Sequence, residues 1–349
     1  METRIKKVVS FSNEGERNNQ EDSFRYAQDI TGTYKPWFIL CDGMGGHDKG
    51  EVASRTVCEA LTNYFDKHAE ESKEINEEYF NQALDYAYEQ LHKKDTSQDT
   101  KKMGTTLTCV YFSKEGAWCF HIGDSRIYHI RPSKYNKAEG AMGLMFQTID
   151  HSLVNSLLRA GELTEQEARN YPHKNIITRA MQPNDKHSKA DYRLEKDIEA
   201  GDYFFLCSDG VLEQLSNEEL CSILADQESD TEAKLTAIEN VCKRGTKDNH
   251  TCILIETGTA NEARPQEPAK QQTTHSEEQI QAEEADIKEE INKEGKEEKE
   301  KKTVIKIFRK VHIFKKGKPQ TNNHITICLI AIVIILVTLL LVAIKYMNK

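Results

Sequence analysis

Five short acidic motifs, each lying beside an apolar run of β-strand length, constrain this chain more than any other feature. They occupy residues 17–22, 41–46, 123–126, 207–210 and 247–249. Carboxylate oxygens suit hard octahedral cations such as Mg²⁺ and Mn²⁺, and the thiolate and imidazole sets that favour zinc are missing at these positions. The motifs therefore predict one oxygen-rich metal site, and Arg17 beside it suits phosphate chemistry.

The apolar patterns around these motifs predict an α+β fold. Helical periodicity predicts helices at residues 50–67, 76–93, 152–160, 164–170, 217–224 and 231–243. Apolar, β-rich runs predict strands at residues 8–11, 37–41, 105–112, 117–122, 126–130, 203–207 and 251–255. We expect two antiparallel sheets packed face to face and flanked by helices, an α-β-β-α sandwich. Carboxylates at the strand ends would then converge on one rim of the sheet pair.

Length, charge and cysteine usage restrict the class of protein. The chain has 349 residues, with 47 basic and 57 acidic side chains and a net charge of −10. A nucleic-acid binder needs a basic face, so nucleic acid is not an expected partner. The nine cysteines include no Cys-x-x-Cys pair and predict reduced, buried thiols. The N-terminus lacks the apolar core of a secretion signal, so we expect the globular part in the cytosol.

A membrane anchor is predicted near the C-terminus. Residues 325–344 contain no charged residue and have about the 20-residue length of a membrane-spanning helix. A buried core helix is the alternative, but only residues 345–349 follow, and globular helices rarely lack a polar stripe. Basic residues are concentrated before the span. By the positive-inside rule, we expect a single-pass membrane protein whose N-terminal part faces the cytoplasm.

The segment at residues 258–324 is predicted to be a linker. Its first part is rich in Glu, Lys, Gln and Ala and has no aromatic residue up to Thr303, so it cannot bury enough apolar surface to form a domain. We expect a disordered tether with transient helix. Residues 303–314 alternate apolar and basic side chains, which suits either contact with an anionic membrane face or a stretch that only sets topology.

The glycine-rich motif that begins with Asp42 and Gly43 is the strongest single indication of a site. Its glycines let the main chain turn tightly and present a carbonyl beside the aspartate. Asp-Gly alone is a common structural turn, but here a buried strand delivers it. Asp209 follows another such strand and Asp248 precedes one, and three neighbouring aspartates would repel one another without a cation. Asp248 by itself would be read as a turn residue.

Arg17 lies four and five residues before Glu21 and Asp22 in a polar loop. A guanidinium fork can hold two phosphate oxygens, whereas lysine offers a point charge. A surface salt bridge from Arg17 to Glu21 is the alternative.

Together the motifs resemble the metal-dependent protein phosphatase family, the type 2C serine/threonine phosphatases, and look most like its bacterial members. The resemblance covers residues 1–257 and rests on Arg-x-x-x-Glu-Asp, Asp-Gly-x-Gly-Gly, Met-Gly-Thr-Thr, Gly-Asp-Ser-Arg, Ser-Asp-Gly and Asp-Asn, in that order. It implies hydrolysis of phosphoserine and phosphothreonine by water activated between two Mn²⁺ or Mg²⁺ ions. Phosphorylated proteins are the implied partners, with a serine/threonine kinase as the counterpart.

The resemblance also implies roles for individual residues. Asp42 would bridge the two metal ions, Asp209 and Asp248 would complete one of them, and the Gly43 carbonyl would serve the other. Glu21 and Asp22 would act mainly through bound waters, and Arg17 would grip the substrate phosphate. Asp124 with Asp209 would match a third, weaker metal position. Thr105 and Thr106 would lie on a core strand near the site, with a structural role.

One position departs from the family pattern. Some members have a histidine, proposed as the proton donor to the leaving group, where this chain has Met44, which cannot donate a proton. His47 is close in sequence but is expected on a surface loop, so a metal-bound water or a substrate-assisted route is expected instead. Residues 151–189 resemble the helical segment that borders the family's active site, called the flap here. His151, which opens it, is either a catalyst or a local structural hydrogen-bonding residue.

Two other functions share these motifs. A catalytically silent, membrane-tethered module could use the same cleft to hold phosphoproteins, but the principal aspartates are all present, which favours hydrolysis. Action on a small phosphorylated metabolite would use the same chemistry with a differently shaped flap.

Overall fold

The computed structural model describes residues 4–45, 49–68, 75–95, 103–169, 171, 176–183 and 187–259. All of these belong to one unit, Met1–Ala269. The predicted tether from residue 260 onwards, the predicted span at 325–344 and the tail at 345–349 lie outside the described residues. No helix among the described residues is long and apolar enough to cross a bilayer.

The strands of the described residues form two antiparallel sheets. They are β1 (Arg4–Asn13), β2 (Asp22–Arg25), β3 (Trp37–Met44), β4 (Gly104–Thr105), β5 (Leu107–Ser113), β6 (Gly116–Ile122), β7 (Arg126–Asn136), β8 (Ala141–Gln147), β9 (Asp191–Glu195), β10 (Tyr203–Cys207) and β11 (His250–Gly258). One sheet has the strand order β1-β11-β10-β7-β8. The other has the order β2-β3-β5-β6-β9, with β4 paired to β3.

The helices fall largely where periodicity predicts them. They are α1 (Lys49–His68), α2 (Glu77–Lys94), α3 (Leu153–Ala160), α4 (Glu165–Arg169), α5 (Asp209–Leu212), α6 (Asn217–Ala225) and α7 (Thr231–Cys242), with a 3₁₀ turn at Lys137–Glu139. Side-chain caps explain several starting points. Asn76, Ser216 and Asp230 each accept a hydrogen bond from a backbone N–H in the first turn of α2, α6 and α7.

Strand side chains alternate between separate cores, which produces four layers. In β3, Leu40 faces the opposite sheet, whereas Ile39 packs with the apolar faces of α1 and α2. In β10, Leu206 likewise faces the opposite sheet, whereas Phe205 packs with α6 and α7. Because successive strand residues point to opposite faces, one apolar run can serve two cores. The α-β-β-α sandwich predicted from the sequence is confirmed.

Three of the strands were not predicted. β2 has only four residues, and β8 and β9 expose several side chains, so none has a long apolar run. The thiol prediction is confirmed for the part of the chain that the structure describes, where eight cysteines are free and buried.

Candidate active site

Asp42 lies near the end of β3, where this strand pairs with β2. Its backbone N–H donates a 2.9 Å hydrogen bond to Thr106 Oγ1, and its carbonyl accepts a 2.8 Å bond from the Thr106 N–H. The Thr105 hydroxyl donates to the same carbonyl at 2.8 Å. The two threonines therefore fix the Asp42 backbone, which is the structural role expected of them.

Gly43 lies where the end of β3 contacts the start of α1. A Cβ on Gly43 would lie 2.2 Å from the carbonyl oxygen of Gly50, so no larger residue fits without moving the backbone. The Gly43 N–H donates to the Glu21 carbonyl at 3.1 Å, and the Ser54 hydroxyl of α1 donates to that carbonyl at 2.5 Å. These bonds place Glu21 beside the glycine turn through its backbone.

Asp209 follows β10 as the first residue of α5, and Asp248 lies just before β11. The two turns are close because a Cβ on Gly210 would lie 2.1 Å from the Asn249 carbonyl oxygen. The carboxyl group of Asp42 lies close to that of Asp209: burial raises the pKa of Asp209, and the Asp42 side chain opposes this shift. Asp248 acts electrostatically on both of these groups. Three strand ends thus bring their carboxyl groups together, as the motifs predict.

Asp22 and Asp124 complete the group, which we call the acidic cluster (Asp22, Asp42, Asp124, Asp209 and Asp248). Asp22 Oδ2 accepts a 2.8 Å hydrogen bond from the Ser208 hydroxyl. The other oxygen of Asp22 and the Oδ1 atom of Asp124 are both buried without a hydrogen-bond partner. Buried carboxylate oxygens normally have a hydrogen-bond partner. The lack of one at these two oxygens therefore indicates a place for a bound ligand.

Burial and mutual repulsion raise the pKa of these carboxyl groups. Burial raises the pKa of Asp22 to about 7, against the opposing hydrogen bond from Ser208. Burial and the neighbouring charge of Asp209 raise the pKa of Asp124 to about 7. Burial and Asp248 raise the pKa of Asp209 to about 6. The pKa of Asp42 lies well above its ordinary value, because it is buried among the other four carboxyl groups.

The loop that carries Asp124 turns at Gly123, whose φ of +109° favours glycine. The Ser125 hydroxyl lies 2.7 Å from Thr106 Oγ1, which ties this loop to the support of Asp42. Arg126 forms a forked ion pair with Asp150, at 2.7 Å and 2.8 Å. The loop is therefore held on both sides.

Arg17 lies at the exposed edge of the acidic cluster. Its Nη2 atom is 2.6 Å from Asp248 Oδ2, and 58% of its side chain is exposed. The alternative prediction of a salt bridge to Glu21 therefore named the wrong partner. Asn249 fixes the polar loop: its amide donates to the carbonyls of Glu14 and Asn19, and its Oδ1 accepts from the Glu21 N–H.

Several residues that support the site were not predicted from the sequence. Ser208 and Asn249 belong to the Ser-Asp-Gly and Asp-Asn motifs, and both are buried polar residues beside a predicted ligand, which is the signal that could have identified them. Asp150, the partner of Arg126, gave no such signal. Met44 is the last residue of β3, and His47 lies outside the described residues.

The residues present fit hard cations. Several carboxyl groups and a tight glycine turn meet at one rim of the sheet pair, and two buried oxygens there have no protein partner. Divalent cations with oxygen ligands would satisfy these atoms and would offset the repulsion that raises the pKa values. An exposed guanidinium at the edge of such a centre is placed to meet a phosphate group.

Comparison with known proteins gives a consistent result. A family model described as protein phosphatase 2C matches residues 12–240. The protein phosphatase PhpP of Streptococcus pneumoniae serotype 2 is 32% identical over 240 residues, covering 68% of this chain and 92% of the relative. The serine/threonine phosphatase Stp1 from Staphylococcus aureus has a similar structure, with a TM-score of 0.60, 28% identity, and coverage of 73% of this chain and 97% of that one.

A second solved structure is that of the catalytic domain of the serine threonine protein phosphatase PstP in complex with two manganese ions. It has a TM-score of 0.58 and 27% identity, and the match covers 72% of this chain and 98% of that one. The family model spans more than half of the present chain. The chain therefore belongs to the protein phosphatase 2C family and is a serine/threonine phosphatase of this type.

Proposed function

We propose that this enzyme removes phosphate from phosphoserine and phosphothreonine in proteins at a binuclear Mn²⁺ or Mg²⁺ centre held by the acidic cluster. The observation that supports the centre most strongly is the convergence of carboxyl groups from separate strand ends, two of them with buried oxygens that lack a partner. The similar PstP structure, solved with two manganese ions, also supports it.

In this proposal Asp42 would hold both ions. Asp209 and Asp248 would be ligands of one ion, and the Gly43 carbonyl would be a ligand of the other. Glu21 and Asp22 would act mainly through water. Thr105 and Thr106 support Asp42, because their hydrogen bonds fix its backbone. Rigid backbone support of this kind keeps the ligand atoms in place when a substrate binds.

A third, weaker cation position is proposed at Asp124 and Asp209. Its support is the buried Oδ1 atom of Asp124, which has no protein partner, and the effect of Asp209 on the pKa of Asp124. The fixed Gly123 turn would orient Asp124 towards Asp209.

When bound, the ions would lower the pKa of a water molecule and neutralise charge on the phosphoryl oxygens. Arg17 would bind the phosphate from the open side, since its exposed guanidinium has donors besides the one that faces Asp248. Met44 cannot supply a proton to the leaving serine or threonine oxygen. A water molecule or the substrate itself would supply that proton.

The flap is proposed to border the substrate. It contains α3 and α4, and it returns to the active-site sheet through an isolated bridge between Thr105 and Met181. Thr105 also supports Asp42, so the flap and the acidic cluster share a backbone element. A phosphoprotein, including a serine/threonine kinase, is the proposed substrate.

The silent binding module is not favoured. It would be indicated by the loss of a ligand, yet every aspartate of the acidic cluster is present. Residues 325–344 are proposed to anchor the enzyme in a membrane with the catalytic domain on the cytoplasmic side; the support is their uninterrupted apolar composition and the basic residues before them.

The test uses the full chain in detergent, stripped with chelator and assayed on a phosphothreonine peptide and on free phosphoserine. We expect phosphate release only after Mn²⁺ or Mg²⁺ is restored, with the peptide preferred. Full activity in excess chelator would contradict the centre, and preference for free phosphoserine would indicate a metabolite phosphatase. Fractionation of cells that express the chain with and without residues 325–349 tests the anchor. The longer form should be in the membrane fraction and the shorter form should not, so equal partitioning of the two forms would contradict the anchor.

A further inference from the structure

His151, at the start of the flap, contacts both peptide groups of Gly123. Its ring Nδ1 atom accepts a 3.0 Å hydrogen bond from the Gly123 N–H, and its own backbone N–H donates to the Gly123 carbonyl at 2.8 Å. The side chain is only 4% exposed. A buried side chain therefore holds the residue immediately before Asp124.

Gly123 needs such support because its turn is tightly confined. A Cβ on this residue would lie 2.6 Å from Thr106 Cγ2, so the turn is pressed against the threonine that supports Asp42. The ring of His151 contacts the same turn through the Gly123 N–H. The direction of the Asp124 carboxyl group depends on this turn, and Asp124 has a buried oxygen without a partner.

The second ring nitrogen of His151 links the turn to β9, which follows the flap. His151 Nε2 lies 3.0 Å from Asp191 Oδ2, and Arg179 Nη1 lies 2.5 Å from the other oxygen of Asp191. The Thr178 N–H also donates to the His151 carbonyl at 2.7 Å. Since Nδ1 accepts from an amide, the proton of a neutral ring must be on Nε2, where Asp191 accepts it.

A metal site at His121, His151 and Asp191 is the competing interpretation, because one ligand atom from each lies within 4.8 Å of the others. The geometry argues against it. A histidine that binds metal through Nε2 carries its proton on Nδ1, yet that atom of His151 faces the N–H donor of Gly123. The two imidazole rings are also stacked at 4.4 Å and 17°, so their in-plane lone pairs do not converge on one point.

We propose that His151 is a positioning residue that holds the Gly123 turn so that Asp124 points into the acidic cluster, and that Asp191 fixes the orientation of its ring. This inference rests on the proposed function, because it assigns His151 to the outer cation position at Asp124. Affinity for that cation then depends on His151, whereas the two cations at Asp42 do not require it.

Two substitutions separate the bonds of His151. In His151→Asn, the side-chain oxygen can take the place of Nδ1 and accept from Gly123, while the bond to Asp191 is lost. In His151→Gln, the amide nitrogen can take the place of Nε2 and donate to Asp191, while the Gly123 N–H loses its acceptor. The proposal makes the bond to Gly123 decisive, so the glutamine variant should be the more impaired.

The experiment is calorimetric titration of Mn²⁺ alone into the metal-stripped full chain in detergent, followed by Mn²⁺ activation curves on a phosphothreonine peptide. In His151→Gln, we expect the weakest binding step and the matching activation midpoint to shift about tenfold, because a buried N–H loses its acceptor. The tighter steps and the peptide KM should stay at wild-type values. In His151→Asn, the affinity of the weakest binding step should stay at its wild-type value.

Two further variants complete the test. In an Asp124→Asn background, His151→Gln should have no further effect on Mn²⁺ binding, since both changes act on one position. His187→Gln is the control, because His187 also pairs with an aspartate, Asp85, but is half exposed and contacts Asp85 and Tyr88 of α2 instead of the Gly123 turn. It should match the wild type.

The outcomes distinguish the two proposals. Identical Mn²⁺ binding in the wild type and His151→Gln would overturn this inference alone, and so would equal impairment of the asparagine and glutamine variants. Weakening of every binding step together with a lower unfolding temperature would show a merely structural role and would overturn it as well. A wild-type chain that binds no Mn²⁺ would overturn the proposed function and this inference with it.

Discussion

Two clusters of charged side chains lie at opposite ends of β10: Asp202 precedes the strand and Asp209 follows it. Around Asp202, the chain supplies its own cation, Arg131. Arg131 is 2% exposed, and its five N–H groups face the side chains of Asp202, Asp197 and Glu199 and the Asp197 carbonyl. His129 lies between Glu195 and Asp202, at 3.1 Å and 2.9 Å. We call His129, Arg131, Glu195 and Asp202 the ion network.

The acidic cluster at the other end differs in what balances its charge. The pKa of Asp202 is lowered, because hydrogen bonds from His129 and Arg131 outweigh its burial. The pKa values of Asp22, Asp124 and Asp209 are raised, because burial and neighbouring carboxylates dominate there. One end is therefore balanced by protein groups alone, and in the proposed function the other would be balanced by metal ions. The comparison predicts that substitutions at the two ends separate activity from stability.

The largest effect is expected from Asp42→Asn. Asparagine keeps the shape of the side chain but cannot bridge two cations, so metal-dependent phosphate release should fall by at least about a thousandfold, several kcal/mol of transition-state stabilisation. The unfolding temperature of the metal-free protein should not fall, because a repelling carboxylate is removed. Phosphate release and thermal unfolding measure the two effects.

Asp66→Asn on the exposed face of α1 is the matched control and should keep full activity. Retention of metal-dependent turnover in Asp42→Asn would show that Asp42 is not a required ligand, and the contrast between the two ends of β10 would then lose its functional meaning.

Arg131→Met should have the opposite effect. It leaves Asp202 buried without its guanidinium partner, a loss of about 3–5 kcal/mol for a broken buried pair. The midpoint of thermal unfolding should drop by about 10 °C, while turnover per folded molecule stays the same. Arg244→Met removes an exposed ion pair to Glu219 and should change stability by less than about 1 kcal/mol. A stable Arg131→Met with reduced turnover would mean that the network supports catalysis.

The sequence motifs predict the acidic cluster but not the ion network, and the reason is physical. Glycine-rich turns at strand ends mark Asp42 and Asp209, because close backbone approach requires those glycines. Nothing comparable marks His129 or Arg131, which alternate with apolar residues along β7 and look like a solvent-facing side of a strand. In the fold, that side faces the other sheet.

The fold class followed from apolar periodicity, since the predicted core strands are nearly all buried. Contacts between segments that are distant in sequence could not be predicted. The bond of His151 to Gly123 and the pairing of Arg126 with Asp150 depend on how loops meet, and spacing along the chain carries no information about that. Strands β2, β8 and β9 were missed for a different reason, because none of them has a long apolar run.

The pH dependence of stability should differ between metal-free and metal-loaded protein. A carboxyl group whose folded pKa is raised binds more protons in the folded state, so its contribution is present below its unfolded pKa of about 3.9 and is lost as pH rises through the folded value. For Asp22, Asp124 and Asp209, the folded pKa values are about 7, 7 and 6. In chelator, the free energy of unfolding should therefore decline between pH 4 and pH 7, and each of these groups lowers it by at most about 1.4 kcal/mol for every pH unit.

Thermal unfolding across this range, with chelator and then with excess Mg²⁺, measures the effect. Metal should restore most of the lost stability near pH 7, because it removes the repulsion among the carboxylates. Asp202 acts in the other direction: its lowered pKa stabilises the fold above about pH 4, and that contribution is lost at lower pH. A metal-free protein whose stability stays constant or rises from pH 4 to pH 7 would show that the pKa values of the acidic cluster are not raised by burial and repulsion.

Arg17→Ala should have the smallest effect on activity, and this variant tests the contrast between Arg17 and Arg131. Arg131 is buried with every N–H bound, whereas Arg17 is largely exposed and faces Asp248 with one N–H. Removing Arg17 should leave stability unchanged and should raise the peptide KM about tenfold, roughly 1.4 kcal/mol of phosphate binding, with a smaller change in kcat. Arg17→Lys keeps the charge but not the forked geometry of the guanidinium, so its peptide KM in steady-state assays should lie between those of the wild type and Arg17→Ala. A lower kcat at unchanged KM would instead place Arg17 in the chemical step, as a group that orients Asp248.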